Sequence, residues 1–419
     1  TVWLYAGATA MGTMSGLNFP PEVNEAGCGN LRLIPDWRTL KVLPWASRGG
    51  GTARVICSQE TFGDSNELRP PLQALPREVC LNQLAKLKEA GYQLFSAHEL
   101  EFSVGTLTEE GKLDKPLFGG VDIFATLQLA KVQELAYEIE KEMYRVGIDI
   151  QTLNCEYGEG QLEITYSPTW GIDSPDHTFT YKNGVKEICL EKGYRGTFMC
   201  KPFFEGASNG GHFNHSVWTD KACISERQNA FYDPSTGGLS DFCKHWIAGL
   251  AQHAKGLEAL FAPTTSCYHR VADLTWGPTR ACWGFDNRTA ALRVKKGTPK
   301  NTYIEARQPS ATSNPYLVVA GIVAAGLDGV KNKLVIPEEA GNGYDISAGE
   351  KLPNTLELSL DALEADTVLC EALGKQFIDW FLLVKRSEVK LASAPEGTAD
   401  TEDLKTRIER ERALYSEYL

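Results

Sequence analysis

The chain has 419 residues, of which 42% are hydrophobic and 23% charged, and this composition excludes a disordered, fibrous or collagen-like protein. At ~150 residues per domain, the length predicts one large domain or two unequal domains with a sizeable core. Acidic residues outnumber basic ones by 54 to 42, and the net charge of -12 disfavours nucleic acids and anionic membranes as partners.

The first part of the chain predicts a small β-rich domain. Residues 1–75 hold short apolar runs between turn-forming glycines and prolines, and the proline-bearing stretch 69–76 predicts a linker. The chain begins with Thr1 rather than methionine, which is compatible with a missing upstream segment. We therefore predict two domains, residues 1–75 and residues 76–419.

The second predicted domain mixes helices and strands. Leu404, Ile408 and Leu414 are predicted to form the buried face of its last helix. The longest apolar run, residues 316–327, is shorter than the ~20 residues that a bilayer requires, so we predict no membrane-spanning helix. The apolar spacing predicts helices at 77–90, 124–146, 242–260, after Asn314-Pro315 and at 401–419, and strands at 92–104 and 161–166.

Cysteine usage predicts the compartment. The 11 cysteines include no Cys-x-x-Cys pair, which is typical of reduced thiols in a cytoplasmic protein and gives no zinc-site spacing. Cytoplasmic localisation is therefore the expectation.

Two predicted strands carry paired acidic residues. Strand alternation places Glu99 and Glu101 on the face opposite Leu100. Glu163 occupies the corresponding position in the strand at 161–166, and Glu156 lies shortly before it. Neighbouring carboxylates suit Mg²⁺ or Mn²⁺. For either strand alone, a solvated face is the simpler alternative.

A glycine turn at 209–211 leads into another predicted strand, on which His212, Asn214 and Ser216 share one face. A neutral imidazole beside carboxylates is a reasonable metal ligand, although a lone histidine is more often only hydrogen-bonded. We predict purely structural roles for four other histidines, namely His215, His245, His253 and His269.

Several candidate basic residues lie between positions 270 and 307. Glu305 and Arg307 share one face of a third acidic strand, where a structural ion pair is the simpler alternative. The arginine fork matches carboxylate and phosphate oxygens, so a cluster of such residues suits an anionic substrate, and solvated arginines are the alternative. Neither a P-loop nor a Gly-x-Gly-x-x-Gly motif is present. The candidate cluster consists of Arg270, Arg288, Arg293, Lys300 and Arg307.

The order of these motifs resembles the class I glutamine synthetase superfamily along nearly the whole chain. The resemblance implies an α+β fold with a small amino-terminal β-grasp domain and a catalytic domain whose curved antiparallel sheet forms a funnel flanked by helices. It also implies a homo-oligomer, a dodecamer of two stacked hexameric rings with active sites between subunits. The segments that carry the resemblance are 31–36, 43–45, 99–102, 160–163, 209–216, 286–288, 314–317 and 325–329.

The resemblance also implies ligands for two divalent metals. Glu101, Glu156 and Glu163 would hold the metal near the substrate carboxylate. Glu99, His212 and Glu305 would hold the metal on the ATP phosphates. All six positions are filled in this sequence.

By the same resemblance, Arg288, Arg307 and Glu305 are the candidate catalytic residues. The cofactor ATP would contact Asn214, Ser216, Arg288, Arg293 and Lys300. The substrate would contact Arg270, Arg307, Asn209, Gly210, Trp276 and Asn30. Tyr303 stands where relatives often carry a basic residue beside the nucleotide.

The implied activity is ligation of glutamate to an amine through a γ-glutamyl phosphate, at the expense of ATP. Two departures from the family pattern bear on the amine. Asn30 stands before Asp36 where ammonia-using members carry an aspartate, and Trp276 follows Arg270 where they carry a glutamate. Asp273 could partly substitute for that glutamate. Because ammonium needs an anionic pocket and a base, we predict an amine other than ammonia.

Within the superfamily, the sequence is most similar to lengsin and to synthetase-like γ-glutamyl-amine ligases, in segments 185–188, 244–250 and 262–263. Lens-type lengsins resemble non-catalytic assemblies whose metal-ligand positions have decayed. The alternative function is therefore a ring-forming structural protein that retains metal and nucleotide binding. The six filled ligand positions favour the ligase, since a carboxylate cluster without a cation costs stability.

Overall fold

The computed structural model describes residues 2–5, 19–25, 27–46, 50–61, 70–120, 123–272, 275–394 and 402–419. Its amino-terminal part is a sheet of three antiparallel strands in the order β1-β2-β3. The elements of this part, in chain order, are β1 (Val2–Tyr5), the short helix α1 (Pro21–Glu25), β2 (Asn30–Val42) and β3 (Ala53–Gln59).

The rest of the chain alternates helices and strands. The first half runs through α2 (Pro76–Glu89), β4 (Tyr92–Leu107), β5 (Leu113–Pro116), α3 (Thr126–Arg145), β6 (Ile150–Cys155), β7 (Gln161–Tyr166), β8 (Thr169–Trp170), α4 (Asp173–Glu191), β9 (Arg195–Thr197) and β10 (Gly211–Thr219). The second half runs through β11 (Tyr232–Asp233), β12 (Gly238–Leu239), α5 (Asp241–Gln252), α6 (Ala254–Phe261), β13 (Trp283–Phe285), β14 (Leu292–Lys295), β15 (Tyr303–Ala306), α7 (Pro315–Asn332), α8 (Leu356–Ala365), α9 (Thr367–Leu373), α10 (Lys375–Ala392) and α11 (Leu404–Tyr415).

One large sheet organises this second part. Its strands follow the order β13-β14-β15-β10-β4-β7-β6, and β5, β8 and β9 pair with β4. The predicted α+β fold with a large antiparallel sheet is confirmed. One pair departs from the prediction, because β13 and β14 run parallel.

The long strand β4 shows why this sequence forms the sheet. Leu100, Phe102 and Val104 alternate along it and are buried in a core shared with α3 and α4. In the other large core cluster, α5 and α7 pack closely because glycines face each other. A Cβ at Gly249 would lie 2.1 Å from the Ala325 carbonyl oxygen. In the described part of the chain, every helix is too short or too polar to cross a membrane.

Three expectations about local structure need correction or restriction. The predicted helix at 242–260 is interrupted at His253, which ends α5 and precedes α6. Leu404 is 52% exposed, so it does not belong to the buried face of α11. The predicted linker 69–76 is packed where it is described, since Leu72 is buried against Trp380, while residue 69 lies outside the described residues. The domain boundary at 75 stays a prediction.

Candidate functional site

Strand pairing brings three predicted metal ligands together. Glu99 on β4 is the register partner of His212 on β10, and Glu305 on β15 is the partner of Asn214, the next residue on the same face of β10. Nδ1 of His212 lies 3.4 Å from a carboxylate oxygen of each glutamate. The ligand atoms of these three residues lie within 4.8 Å of one another.

Arg270 fixes the orientation of the His212 ring. Its NH2 lies 3.2 Å from Nε2 of His212, and its guanidinium also donates to the carbonyls of Arg307 (2.7 Å) and Gln308 (3.0 Å). Since arginine only donates, Nε2 must accept, which assigns the ring proton to Nδ1. A metal ion binding at Nδ1 would therefore displace a proton.

Two arginines neutralise Glu305. Arg293 donates to one of its oxygens at 2.9 Å, and Arg307 donates to the other. Burial opposes ionisation of Glu305, but the neighbouring His212 and Arg307 outweigh it and lower the pKa of Glu305. For Glu99 too, burial is outweighed by hydrogen bonds from His212 and Asn214, and its pKa is lowered. Both carboxylates are therefore held ionised.

The other three predicted ligands are glutamates whose charges repel one another. Glu101 and Glu163 are register partners on β4 and β7, and Glu156 follows β6. Burial and the charge of Glu101 raise the pKa of Glu156 to about 7. Burial and the charges of Glu99, Glu101 and Glu156 raise the pKa of Glu163 well above its usual range. Among the described residues, no arginine pairs with these three glutamates as Arg293 and Arg307 pair with Glu305, so a cation would relieve their repulsion.

A hydrogen-bond chain beneath the site orients Glu101. The amide nitrogen of Gly210 donates to Glu101 at 2.7 Å, and Nε2 of Gln161 donates to it at 2.8 Å. Gln161 in turn donates to Asn209, whose side chain also donates to the Met199 carbonyl. Asn209 is fully buried, so its side chain supports Gln161 instead of facing the site. The sequence reasoning gave Gln161 no role, although it shares a strand face with Glu163.

The predicted nucleotide and phosphate residues differ in their contacts and exposure. Asn214 donates to Glu99 at 3.0 Å, and Ser216 accepts a hydrogen bond from Trp218 at 2.8 Å. Arg288 and Lys300 are exposed. Arg293 also bonds Asp286, which ties the start of the loop after β13 to β14. Tyr303 begins β15 and is half-buried.

The two residues that depart from the ammonia pattern lie on different parts of the fold. Trp276 is 56% exposed in a left-handed conformation with φ 61°, and its carbonyl accepts a 3.4 Å hydrogen bond from Arg307. Asn30 begins β2 in the amino-terminal sheet, apart from the sheet that carries the ligands. Asp273 lies outside the described residues.

The donor set fits a hard divalent cation. Carboxylate oxygens with one imidazole nitrogen suit Mg²⁺ or Mn²⁺, and no thiolate belongs to the three-residue cluster at His212. Burial, together with the charges of neighbouring carboxylates, raises the pKa of Glu163, and a bound cation would counter both effects.

Comparison with known proteins identifies the family. The family model of the glutamine synthetase catalytic domain matches residues 73–402. The chain belongs to the glutamine synthetase family. This confirms the resemblance inferred from the motifs and makes the protein a member of a family of ligases.

Among relatives, rat lengsin is 34% identical over 380 residues, covering 88% of this chain and 64% of lengsin. The chain thus spans less than two thirds of that relative. A glutamate–isopropylamine ligase from Pseudomonas sp. is 28% identical over 380 residues, covering 88% of this chain and 80% of the ligase. A solved structure of GmaS in complex with ADP superposes with a TM-score of 0.78 at 27% identity, covering 92% of this chain and 86% of GmaS.

Proposed function

We propose that this protein is an ATP- and divalent-metal-dependent ligase that joins glutamate to an amine other than ammonia, through a γ-glutamyl phosphate. The observation that carries the proposal is the clustered ligand set of Glu99, His212 and Glu305 beside the repelling glutamates around Glu163. Such a group costs stability without a cation, so it is hard to explain in a chain that binds none.

The names of two relatives support the ligand classes. One relative joins glutamate to isopropylamine by its name, and the GmaS structure contains ADP. By their names, one similar protein therefore acts on an organic amine and another binds a nucleotide. We extend both to this chain as part of the proposal.

The six ligands divide into two groups in this proposal. Glu101, Glu156 and Glu163 hold the cation near the substrate carboxylate, and Glu99, His212 and Glu305 hold the cation at the ATP phosphates. Bound Mg²⁺ or Mn²⁺ supplies charge neutralisation and polarises phosphoryl oxygens.

The remaining side chains bind and orient the reactants. Arg288, Arg293 and Lys300 face the phosphates, and Asn214 and Ser216 lie along the nucleotide. Arg270 and Arg307 hold substrate carboxylates. Fixing both reactants in line and placing guanidinium groups where charge develops are the contributions of the chain itself.

In this proposal, uncharged side chains at two positions of the pocket determine which amine is used. Asn30 and Trp276 leave no negative charge at the two positions that would attract ammonium and accept its proton. Trp276 offers an apolar wall to a larger amine. Asn30 lies on the separate amino-terminal sheet, so the proposal includes active sites that are shared between neighbouring subunits. The subunits would form two stacked hexameric rings, and the proposed compartment is the cytoplasm.

The test is ADP release by the purified protein with ATP, Mg²⁺ and glutamate against ammonia, methylamine, isopropylamine, ethanolamine and aromatic amines. We expect release that depends on an organic amine and is abolished in Glu163→Gln. The matched control is Glu89→Gln, an exposed position on α2, which should keep full activity. Full activity in Glu163→Gln would show that the ligand assignment is wrong.

A second candidate function follows from the similarity to lengsin. In that case the chain is a non-catalytic ring-forming protein, and bound metal and nucleotide only stabilise its native state. A blank amine panel together with tight ATP binding would favour this function over the ligase.

A further inference from the structure

A second cleft lies between α4, the start of α7 and α10. Its volume is about 480 Å³, and none of the carboxylate ligands or arginines of the site described above lines it. Its walls are largely apolar and include the rings of Phe179, Phe377, Trp380 and Phe381. This size and character are those of pockets that bind small organic molecules.

The polar groups of the cleft are cationic. Lys182 and Lys186 stand one turn apart on α4, and both line it. Nζ of Lys182 donates to the carbonyls of Ala311 (2.7 Å) and Ser313 (3.1 Å), so no carboxylate compensates it through a hydrogen bond in the described structure. Burial lowers the pKa of Lys182 to about 7, and the charge of Lys186 adds to this effect.

The charged side chains that line the cleft are all lysines in the described part of the chain. A third lysine, Lys385, also lines it and is paired with Glu388 at 2.7 Å. Among the described residues, no aspartate or glutamate side chain lines the cleft, although the chain as a whole carries a net charge of -12. Nζ of Lys186 donates to the carbonyl of Tyr418 at 3.1 Å, and the neighbouring Glu187 acts on its charge but does not line the cleft. Two lysines whose hydrogen bonds go to main-chain carbonyls would gain a charge-assisted hydrogen bond from a bound anion.

A further group in the same wall lacks a partner. Ser313 is 2% exposed and lines the cleft, and its Oγ has no hydrogen bond in the described structure. A buried hydroxyl without a partner costs free energy that a ligand oxygen would recover. The positive end of α7, which begins at Pro315, lies at this same wall.

We propose that this cleft binds a small organic carboxylate with an apolar body. The carboxylate lies against Lys182, Lys186 and Ser313, and the apolar body packs against the contacting rings of Phe377 and Phe381. The site is separate from the ligase site, so it does not depend on the proposed function.

The test is isothermal titration calorimetry of the full-length chain with phenylacetate, with neutral phenylacetamide as the matched probe. We expect saturable binding of one phenylacetate per chain and binding of the amide at least about tenfold weaker. Lys182→Met should weaken phenylacetate binding by a similar factor. The matched control Lys88→Met, at an exposed position on α2, should leave it unchanged.

Two further measurements keep the proposal falsifiable if Lys182→Met does not fold. Lys186→Met and Ser313→Ala should each weaken binding, and Ser313→Ala should not lower the melting temperature because Oγ makes no hydrogen bond. Excess glutamate should not displace phenylacetate. Equal binding of acid and amide, unchanged binding in both variants, or displacement by glutamate would each overturn the proposal.

Discussion

Nδ1 of His212 lies 3.4 Å from a carboxylate oxygen of Glu305, although the two residues are far apart in the sequence. Strands β10 and β15 pair so that Asn214 is opposite Glu305, and His212 lies on the same face one pleat away. On the other side of His212, the same strand pairs with β4 and presents Glu99. The cluster is therefore a product of strand register, and a register shift by one residue would disperse it.

This cluster predicts how the protein responds to metal. Addition of Mn²⁺ should raise the melting temperature of the wild type, because a ligand that binds the native state stabilises it. Glu305→Gln should bind Mn²⁺ at least about tenfold more weakly, since it loses a charged ligand and removes the carboxylate that Arg293 and Arg307 share. Calorimetric titration of both proteins measures the difference. Glu89→Gln is the matched control, and equal affinity in wild type and Glu305→Gln would contradict the cluster's role.

A buried ion network joins α2, α4 and the amino-terminal sheet. Arg77 donates to Asp176 at 2.8 and 2.9 Å and to Asp36 at 3.0 Å, and the hydroxyl of Tyr316 also donates to Asp176. Arg77→Met should destabilise the protein by about 3–5 kcal/mol, because it leaves the buried carboxylate of Asp176 without a cation, whereas Asp36 keeps its pair with Arg38. Denaturant unfolding at fixed protein concentration measures this loss.

The matched control for Arg77 is an exposed pair. Lys375 and Asp379 lie 2.8 Å apart with side chains that are 87% and 53% exposed. Lys375→Met should cost less than about 1 kcal/mol, because solvent screens such pairs. A loss in Arg77→Met as small as that in Lys375→Met would show that the network does not hold these elements together.

The periodicity of β4 shows what the sequence could predict. Alternation separates Leu100 and Phe102, which are buried, from Glu99 and Glu101, which face the site, and this is a local property of the strand. Which strand lies beside β4 is not local. The contact of Glu99 with His212 depends on non-consecutive strand pairing, so it was accessible only through the family resemblance.

Buried polar pairs were the main source of error. In α11, hydrophobic spacing favours Leu404, but the structure buries Ile408, Glu411 and Tyr415. Glu411 can be fully buried because His269 lies 2.7 Å from its carboxylate, and no hydropathy pattern reveals such a partner. The substrate contact predicted for Asn209 stays a prediction, and the structure adds that its side chain is fully buried. Single-residue chemistry cannot tell a group in the site from a group that supports it.

His253 predicts a pH dependence of stability. Its Nδ1 lies 2.7 Å from Asp366 and its Nε2 lies 3.1 Å from Asp328. Burial alone would lower the pKa of His253, but the hydrogen bonds to both carboxylates outweigh it and the pKa is raised. The stabilisation is therefore fully present below the ordinary histidine pKa of about 6.5 and is lost as the pH rises through the raised value.

Comparison with His253→Gln isolates this effect, because other groups titrate in both proteins. The difference in the free energy of unfolding between wild type and variant should be larger at pH about 6 than at pH about 9. His245→Gln is the control, since the His245 ring contacts the main-chain carbonyl of Leu334 instead of a carboxylate. A difference for His253→Gln that stays constant or grows with pH would refute the assignment.

The proposed amine pocket predicts a change of substrate. Trp276→Glu combined with Asn30→Asp adds a negative charge at each of the two positions, which would attract ammonium and provide a base for its proton. The ratio of kcat/KM for ammonia to kcat/KM for the preferred organic amine should rise by about tenfold or more. Trp276 already adopts a left-handed backbone conformation with a side chain, so a glutamate at this position would have the same backbone strain as the wild-type residue.

The control must distinguish the effect of the added charge from the effect of the smaller side chain, because removing the indole also enlarges the pocket. Trp276→Gln in the wild-type Asn30 background removes the same bulk and adds no charge. If charge selects the amine, this variant should lose activity with the larger amine and gain little with ammonia. A gain with ammonia equal to that of the doubly acidic variant would mean that loss of the indole, and not the added charge, raises activity with ammonia, and the electrostatic account of the pocket would then be wrong.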